Sequence, residues 1–188
     1  MVRLFVALPV SESVAEGLRV ICNGLPGARW VPPENFHVTL RFIGEVDHDV
    51  AHDVHDALAR IDAPELELEV EGLDWFGNRW KPSAVTARIA KSDALIHLQK
   101  KVESAVVRAG LKPESRKFCP HITLARCKQT SVDEVERYIR ERKPDGPRRF
   151  AVDHFVLYSS FLSSSGPIYE AEAEYPLRLM AETADVWG

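Results

Sequence analysis

The chain has no excess of basic residues: 24 Lys and Arg stand against 28 Asp and Glu, a formal net charge of −4. Coating long nucleic acid requires many phosphate-neutralising cations, so the charge argues against that mode and leaves room for a nucleic-acid partner only if a terminus is gripped. Basic groups are local: Arg41, Arg79 with Lys81, Arg116 with Lys117, Arg126 with Lys128, and Arg148 with Arg149. Cysteine is scarce too. Cys22, Cys119 and Cys127 are too few and too irregularly spaced for a disulfide framework or a zinc site. A reducing cytoplasm is the natural reading. No stretch approaches about 18 uninterrupted apolar residues, so no membrane span is expected. The opening apolar run is minimal, Glu12 and Glu16 follow at once, and no small-residue cleavage site appears. It reads as a first strand rather than a signal peptide. A length of 188 residues with 45% hydrophobic content fits one domain, or two lobes sharing a core.

Periodicity supplies the order of elements. A strand near 2–8 precedes Ser11, a good N-cap, and a helix near 12–23 with Val14, Leu18 and Ile21 on one face. A Gly/Pro-rich connection over 24–35 leads to a strand near 36–43, a helix near 48–61 capped by Asp47, and a strand near 66–72. After a loop over 73–83, the plan repeats. A strand near 84–90 precedes Ser92 and a helix near 93–109 that Gly110 stops, and a strand follows near 119–126. Ser131 with Glu134 reads as a capping box opening a helix near 132–142, and strands near 150–158 and 168–177 close the chain. Landmarks in the two halves are offset by 84 positions, which suggests duplicated units near 1–72 and 84–158 within one bilobal domain spanning 1–188.

The offset connects two copies of one pattern, His37-Val38-Thr39-Leu40 and His121-Ile122-Thr123-Leu124. With seven His and five Thr in the chain, random placement predicts roughly 0.2 His-x-Thr patterns, so the pair is specific where a lone copy would be worthless. On a strand, His and Thr at i and i+2 share a face, while the intervening aliphatic residues point into a core. Two copies facing one cleft offer two acid/base groups and two hydroxyls, the equipment for in-line displacement at phosphorus without a metal. Histidine suits both proton transfers because its ordinary pKa of ~6.5 keeps both forms accessible near neutrality. Thr39 and Thr123 would donate to the non-bridging phosphate oxygens.

Arg41 shares strand parity with His37 and Thr39, so it is expected at the end of the cleft as an anion ligand. Arg126 has the opposite parity to His121 and Thr123 and reaches the cleft only if its strand bends or ends near Ala125. His48, His52 and His55 could hold zinc on one helix face, but interleaved Asp49, Asp53 and Asp56 mark that face as solvated, so no metal is assigned. Cys119 and Cys127 read as packing residues. Among Trp30, Phe36, Trp75, Phe76, Trp80 and Phe118, one or two could stack a base and the rest are core or rim.

These residues resemble the two-histidine (2H) phosphoesterases, and within them the RNA 2',3'-cyclic phosphodiesterases, also called 2'-5' RNA ligases. The likeness runs over almost the whole length. It includes Arg3-Leu4-Phe5-Val6-Ala7-Leu8-Pro9, the segment from Trp30 to Gly44, Pro120-His121-Ile122-Thr123-Leu124-Ala125-Arg126 and Ser165-Gly166-Pro167-Ile168-Tyr169. The resemblance implies a bilobal, pseudo-two-fold α+β fold with two mainly antiparallel sheets around a central cleft and helices outside. It implies cofactor-free, metal-independent hydrolysis of a terminal RNA 2',3'-cyclic phosphate to a 2'-phosphate. His121 would be the proton acceptor and His37 the proton donor, Thr39 and Thr123 would hold the phosphate, and Arg41 and Arg126 would be substrate-binding. A 5'-hydroxyl in place of water would give 2'-5' ligation. A cytoplasmic monomer away from membranes is expected. Two other readings are a phosphodiesterase for a small cyclic phosphate, such as an ADP-ribose cyclic phosphate, and a non-catalytic RNA-end-binding protein. A zinc hydrolase on the helical histidines is a distant third.

Overall fold

A computed structural model describes residues 1–179 of the chain. Its elements in chain order are β1 (Val2–Pro9), α1 (Glu12–Arg19), β2 (Ala28–Trp30), a single 3-10 turn (Pro33–Asn35), β3 (His37–Val46), α2 (His48–Ala59), β4 (Leu66–Asn78) and β5 (Lys81–Ile89). They continue with α3 (Asp93–Arg108), β6 (His121–Cys127), α4 (Val132–Glu141), β7 (Arg149–Val152), β8 (His154–Ser163) and β9 (Gly166–Pro176). Each helix begins where a side-chain oxygen can satisfy an otherwise orphaned amide. Ser11, Asp47, Ser92 and Ser131 accept from the amides of Val14, Val50, Leu95 and Glu134, and Glu134 returns the bond to the Ser131 amide.

All eight principal strands pair antiparallel, in the order β7-β4-β5-β6-β3-β1-β8-β9, with β2 added to β6. The order divides into two four-stranded wings that meet at β3 and β6. This is an α+β fold in which a curled antiparallel sheet lines a cleft and the helices lie outside. At the seam the register pair is Val38 with Ile122, residues that carry the same 84-position offset as the motifs. The helix-facing sides of both wings feed one core with the helix stripes: Val38, Leu40, Ile122 and Leu124 pack with Val14 and Leu18 of α1, Val54 and Leu58 of α2, Leu95, Leu98 and Val102 of α3, and Val135 of α4.

Several boundaries differ from those the sequence suggests. The segment 73–83 is not a loop. It forms the outer arms and turn of the β4–β5 hairpin, whose Asp, Gly, Asn and Pro residues read as breakers although both arms are hydrogen-bonded as strands. The strand expected over 150–158 is two strands, β7 on one wing and β8 on the other, separated at Asp153. The strand after the second helix of each half also crosses over: β4 pairs with β5, and β8 with β1, so the sheet's wings are not the sequence's halves. The first helix stops at Arg19, because the amides of Ile21 and Cys22 already turn back on Leu18 and Arg19 before Gly24 takes φ +74°.

One irregularity repeats in both wings and decides which side chains enter the cleft. Along β3, Ala7 faces Thr39 and Val6 faces Arg41, so Leu40 is an extra residue; along β6, Thr86 faces Thr123 and Val85 faces Ala125, so Leu124 is extra. Each is a β-bulge, and it reverses the parity of the residues that follow it, on β3 as far as a second register shift at Ile43. Arg41 and Ala125 therefore turn into the protein, while Phe42 and Arg126 turn outward to the cleft.

Candidate active site

The cleft between the wings has a volume of about 550 Å³ and is lined by His37, Thr39, His121 and Thr123 together. Because Val38 pairs antiparallel with Ile122, His37 stands beside Thr123 across the seam and Thr39 beside His121. The sequence pattern alone cannot supply this crosswise arrangement. It puts one imidazole and one hydroxyl at each end of a short diagonal.

The two imidazoles are anchored alike. His37 Nδ1 lies 2.7 Å from the Asn35 carbonyl oxygen and His121 Nδ1 lies 2.7 Å from that of Cys119, in each case the carbonyl two residues earlier. A carbonyl can only accept, so each Nδ1 carries the hydrogen and each Nε2 is left free to take or give a proton. Their walls differ. His37 sits in an aromatic enclosure, with the Phe5 ring 4.9 Å away and Tyr169 edge-on at 5.4 Å. His121 has Phe76 edge-on at 4.7 Å.

Burial is the largest influence on both histidines and pushes their pKa values below the usual imidazole range. The Asn35 carbonyl opposes the shift at His37, and nearby His121 and Arg126 add to it; at His121 the Cys119 carbonyl opposes it and Arg126 adds to it. Near neutrality the free site therefore holds neutral imidazoles beside fixed cations. Such a site favours an anion, which would restore protonation.

Arg126 lines the cleft, as do Arg3, Arg29 and Lys128. Arg29 and Arg126 occupy directly opposed positions on β2 and β6. Like charges so placed repel in the absence of an anion between them. Sequence parity pointed Arg126 away from the cleft, and the bulge at Leu124 supplies the bend it needs. The same device at Leu40 removes Arg41. That guanidinium is buried, donating to Glu103 and the Lys112 carbonyl, and to the Phe42 carbonyl at 2.6 Å. Arg41 thus ties the end of β3 to α3 and the segment after it and does not face the cleft, which corrects the expectation from parity.

Arg41→Met is accordingly expected to lower the free energy of unfolding by about 2–4 kcal/mol, since it strands two carbonyls and the mostly covered Glu103 carboxylate. Urea titration would measure this loss. The KM of the folded fraction for a phosphate substrate should stay at the wild-type value; a KM rise without loss of stability would return Arg41 to the substrate.

Of the aromatic candidates, Trp30 and Phe76 line the cleft, Phe36 is buried, and Trp75 and Phe118 pack against the core. Trp80 is 76% exposed at the β4–β5 turn. Phe42, Tyr169, Arg3, Arg29 and Lys128 also line the cleft; the sequence reading gives none of them a site role, with Lys128 named only among the local basic groups and Arg3, Phe42 and Tyr169 only within the matching segments. Cys127 packs in the core, whereas the Cys119 side chain is exposed and only its carbonyl serves the site, a correction to its reading as a packing residue. His55 Nδ1 is 2.8 Å from the Tyr175 hydroxyl, and no group of potential metal ligands occurs among the described residues. No helix among them is long and apolar enough to cross a membrane.

Comparison with known proteins finds relatives that cover most of the chain. The family model of the 2'-5' RNA ligase superfamily matches residues 10–160. A Thermotoga maritima protein named RNA 2',3'-cyclic phosphodiesterase is 34% identical over 174 residues, covering 89% of this chain and 91% of the relative. Among solved structures, a protein described as a phosphoesterase superposes with a TM-score of 0.80 at 25% identity, covering 94% of this chain and 99% of that one. Escherichia coli LigT in its apo form shares the fold, with a TM-score of 0.77 at 24% identity over 94% of this chain and 97% of that one.

Proposed function

Since the chain belongs to the 2'-5' RNA ligase superfamily of 2H phosphoesterases and is a hydrolase, we propose that it opens the 2',3'-cyclic phosphate at an RNA terminus to leave a 2'-phosphate. The observation that carries this reading is the crosswise pair of His and Thr, with both Nδ1 atoms committed to carbonyls and both Nε2 atoms left for proton transfer. In the proposed step His121 Nε2 removes a proton from water as its oxygen attacks phosphorus. The P–O3' bond breaks on the opposite side, and protonated His37 gives its proton to O3'. Thr39, Thr123 and Arg126 donate to the non-bridging oxygens, where charge accumulates as phosphorus becomes five-coordinate. The products are a 2'-phosphate and a free 3'-hydroxyl. Solvent then returns the two imidazoles to their starting protonation.

The chain's negative charge and the confinement of Arg3, Arg29, Arg126 and Lys128 to one cleft favour a substrate held at its end rather than along its length. One chain carries both motifs, so a monomer suffices. The test is a short RNA with a 3'-terminal 2',3'-cyclic phosphate incubated with the protein in EDTA. A 2'-phosphate identified by NMR against standards is the expected product; a 3'-phosphate would reverse the bond assigned to His37, and no product would leave a small cyclic phosphate or RNA-end binding. In the same assay Thr39→Val or Thr123→Val should lower kcat about 10²-fold by removing a donor from the developing charge. Thr→Ser at either position should retain most of the activity, because the hydroxyl remains.

A further inference from the structure

We propose that the β4–β5 hairpin is the binding platform for the attacking RNA strand, the 5'-hydroxyl acceptor of 2'-5' ligation, with Phe76 at its inner end and Arg79 and Trp80 at its tip. The inference rests on the proton-transfer roles proposed above. In-line displacement puts the nucleophile and the leaving oxygen on opposite sides of phosphorus. The ribose that keeps the 2'-phosphate therefore lies on the His37 side, where Phe5 and Tyr169 form a closed aromatic wall. The nucleophile enters on the His121 side. That side is walled by Phe76, which is 37% exposed and lies edge-on to the His121 ring.

From Phe76 the hairpin runs outward. Gly77, at φ +148°, has no room for a Cβ, which would lie 2.3 Å from the Lys81 carbonyl oxygen; the register slips there and the arm bends. Asn78 Oδ1 accepts from the amides of Trp80 and Lys81 and fixes the turn. The tip stands roughly 10 Å beyond Phe76 at the usual rise of a strand. It presents Trp80, 76% exposed, with the Arg79 guanidinium 4.5 Å over its ring and Lys81 beside it. Among the described residues no carboxylate pairs with Arg79 or Lys81.

Among the described residues the Trp80 ring packs against no part of the core. An exposed aromatic face held flat by a cation, with a second aromatic leading to the reaction centre, is the equipment that single-stranded RNA recognition employs. In ligation the 5'-oxygen of the strand so held attacks phosphorus and gives its proton to His121. The P–O3' bond breaks and O3' takes the proton of His37, leaving a 2'-5' diester and a 3'-hydroxyl with no further reactant. The hairpin would thus set how often a 5'-hydroxyl takes the place of water.

The experiment mixes a cyclic-phosphate-ended donor RNA with excess fluorescent 5'-hydroxyl acceptor RNA whose 3' end is blocked. Wild type, Trp80→Ala and Trp80→Phe are compared for the ratio of ligated to hydrolysed donor and, by anisotropy, for the acceptor's Kd. Stacking worth ~1–3 kcal/mol per base corresponds to a change of roughly 5- to 150-fold. Trp80→Ala should weaken acceptor binding and lower the ratio by about tenfold, and Trp80→Phe should restore most of both. Equal acceptor Kd in wild type and Trp80→Ala would overturn the proposal, as would weakening confined to the donor strand. If the wild type forms no measurable ligated product, the anisotropy decides alone. Donor hydrolysis by the wild type separates the cases: its absence defeats the functional reading, whereas its presence with an unchanged acceptor Kd defeats only the platform.

Discussion

Replacing His37 or His121 by alanine is expected to lower kcat on a cyclic-phosphate terminus by about 10²–10⁴-fold in each case. Replacing both should add little to the worse single variant, because groups that act in one step are not independent. The geometry requires this dependence. Each imidazole has its Nδ1 fixed to a carbonyl, so neither can rotate to serve both oxygens, and one lies beside each end of the diagonal formed with Thr39 and Thr123. A substrate with sulfur in place of O3' separates the two roles. A thiol has a pKa of about 8.5, so a thiolate leaves without being protonated. The defect of His37→Ala should therefore shrink to within about tenfold on that substrate, while the defect of His121→Ala persists. Rescue of His121→Ala instead would exchange the assignments of acid and base, and rescue of neither would remove proton donation from the rate-limiting step.

What could be read from the sequence, and what could not, divides at the bulges. Up to Leu40 and Leu124, strict alternation holds and the His and Thr of each motif share a face as the pattern requires. Beyond them, parity gave the wrong direction for Arg41 and a conditional one for Arg126, since a bulge leaves little signature in residues that remain apolar. Helix starts were legible because capping is local chemistry: Ser11, Asp47, Ser92 and Ser131 each bond an amide three residues on. The partners of β4 and β8 were not, because strand pairing depends on contacts far apart in the chain. The 84-residue offset indicated two similar halves, and it persists at the seam pair Val38 and Ile122, but it carried no mark of the crossover that puts β4 beside β5 and β8 beside β1. The convergence of the cleft's other cations was not legible for the same reason. Arg3, Arg29 and Lys128 belong to three different strands or strand ends and converge only when the sheet curls.

Arg126→Gln is expected to lower kcat/KM by roughly 10–150-fold, the loss of one charge-assisted hydrogen bond at about 1.5–3 kcal/mol, and to move the pH profile as well. In the free protein burial, then the neighbouring cations, hold both histidines below the ordinary imidazole value of ~6.5. The productive form has His121 neutral and His37 protonated. Raising the pH through the higher pair pKa removes the proton that His37 must give, so the wild-type kcat/KM should fall about tenfold per pH unit across the neutral to alkaline range. Lowering the pH through the lower one protonates the base, which produces the acid limb. A bound anionic phosphate favours imidazolium, so the alkaline limb of kcat should lie at higher pH than that of kcat/KM. Arg126 acts on both histidines in the sense of lowering their pKa values. Its neutralisation should therefore displace both limbs of the kcat/KM profile to higher pH, even as the maximum falls. A guanidinium that served only affinity from outside the cleft would reduce the height and leave both limbs where they were. Pre-steady-state profiles of wild type and Arg126→Gln distinguish the two, and unmoved limbs would take Arg126 out of the electrostatics of the histidine pair.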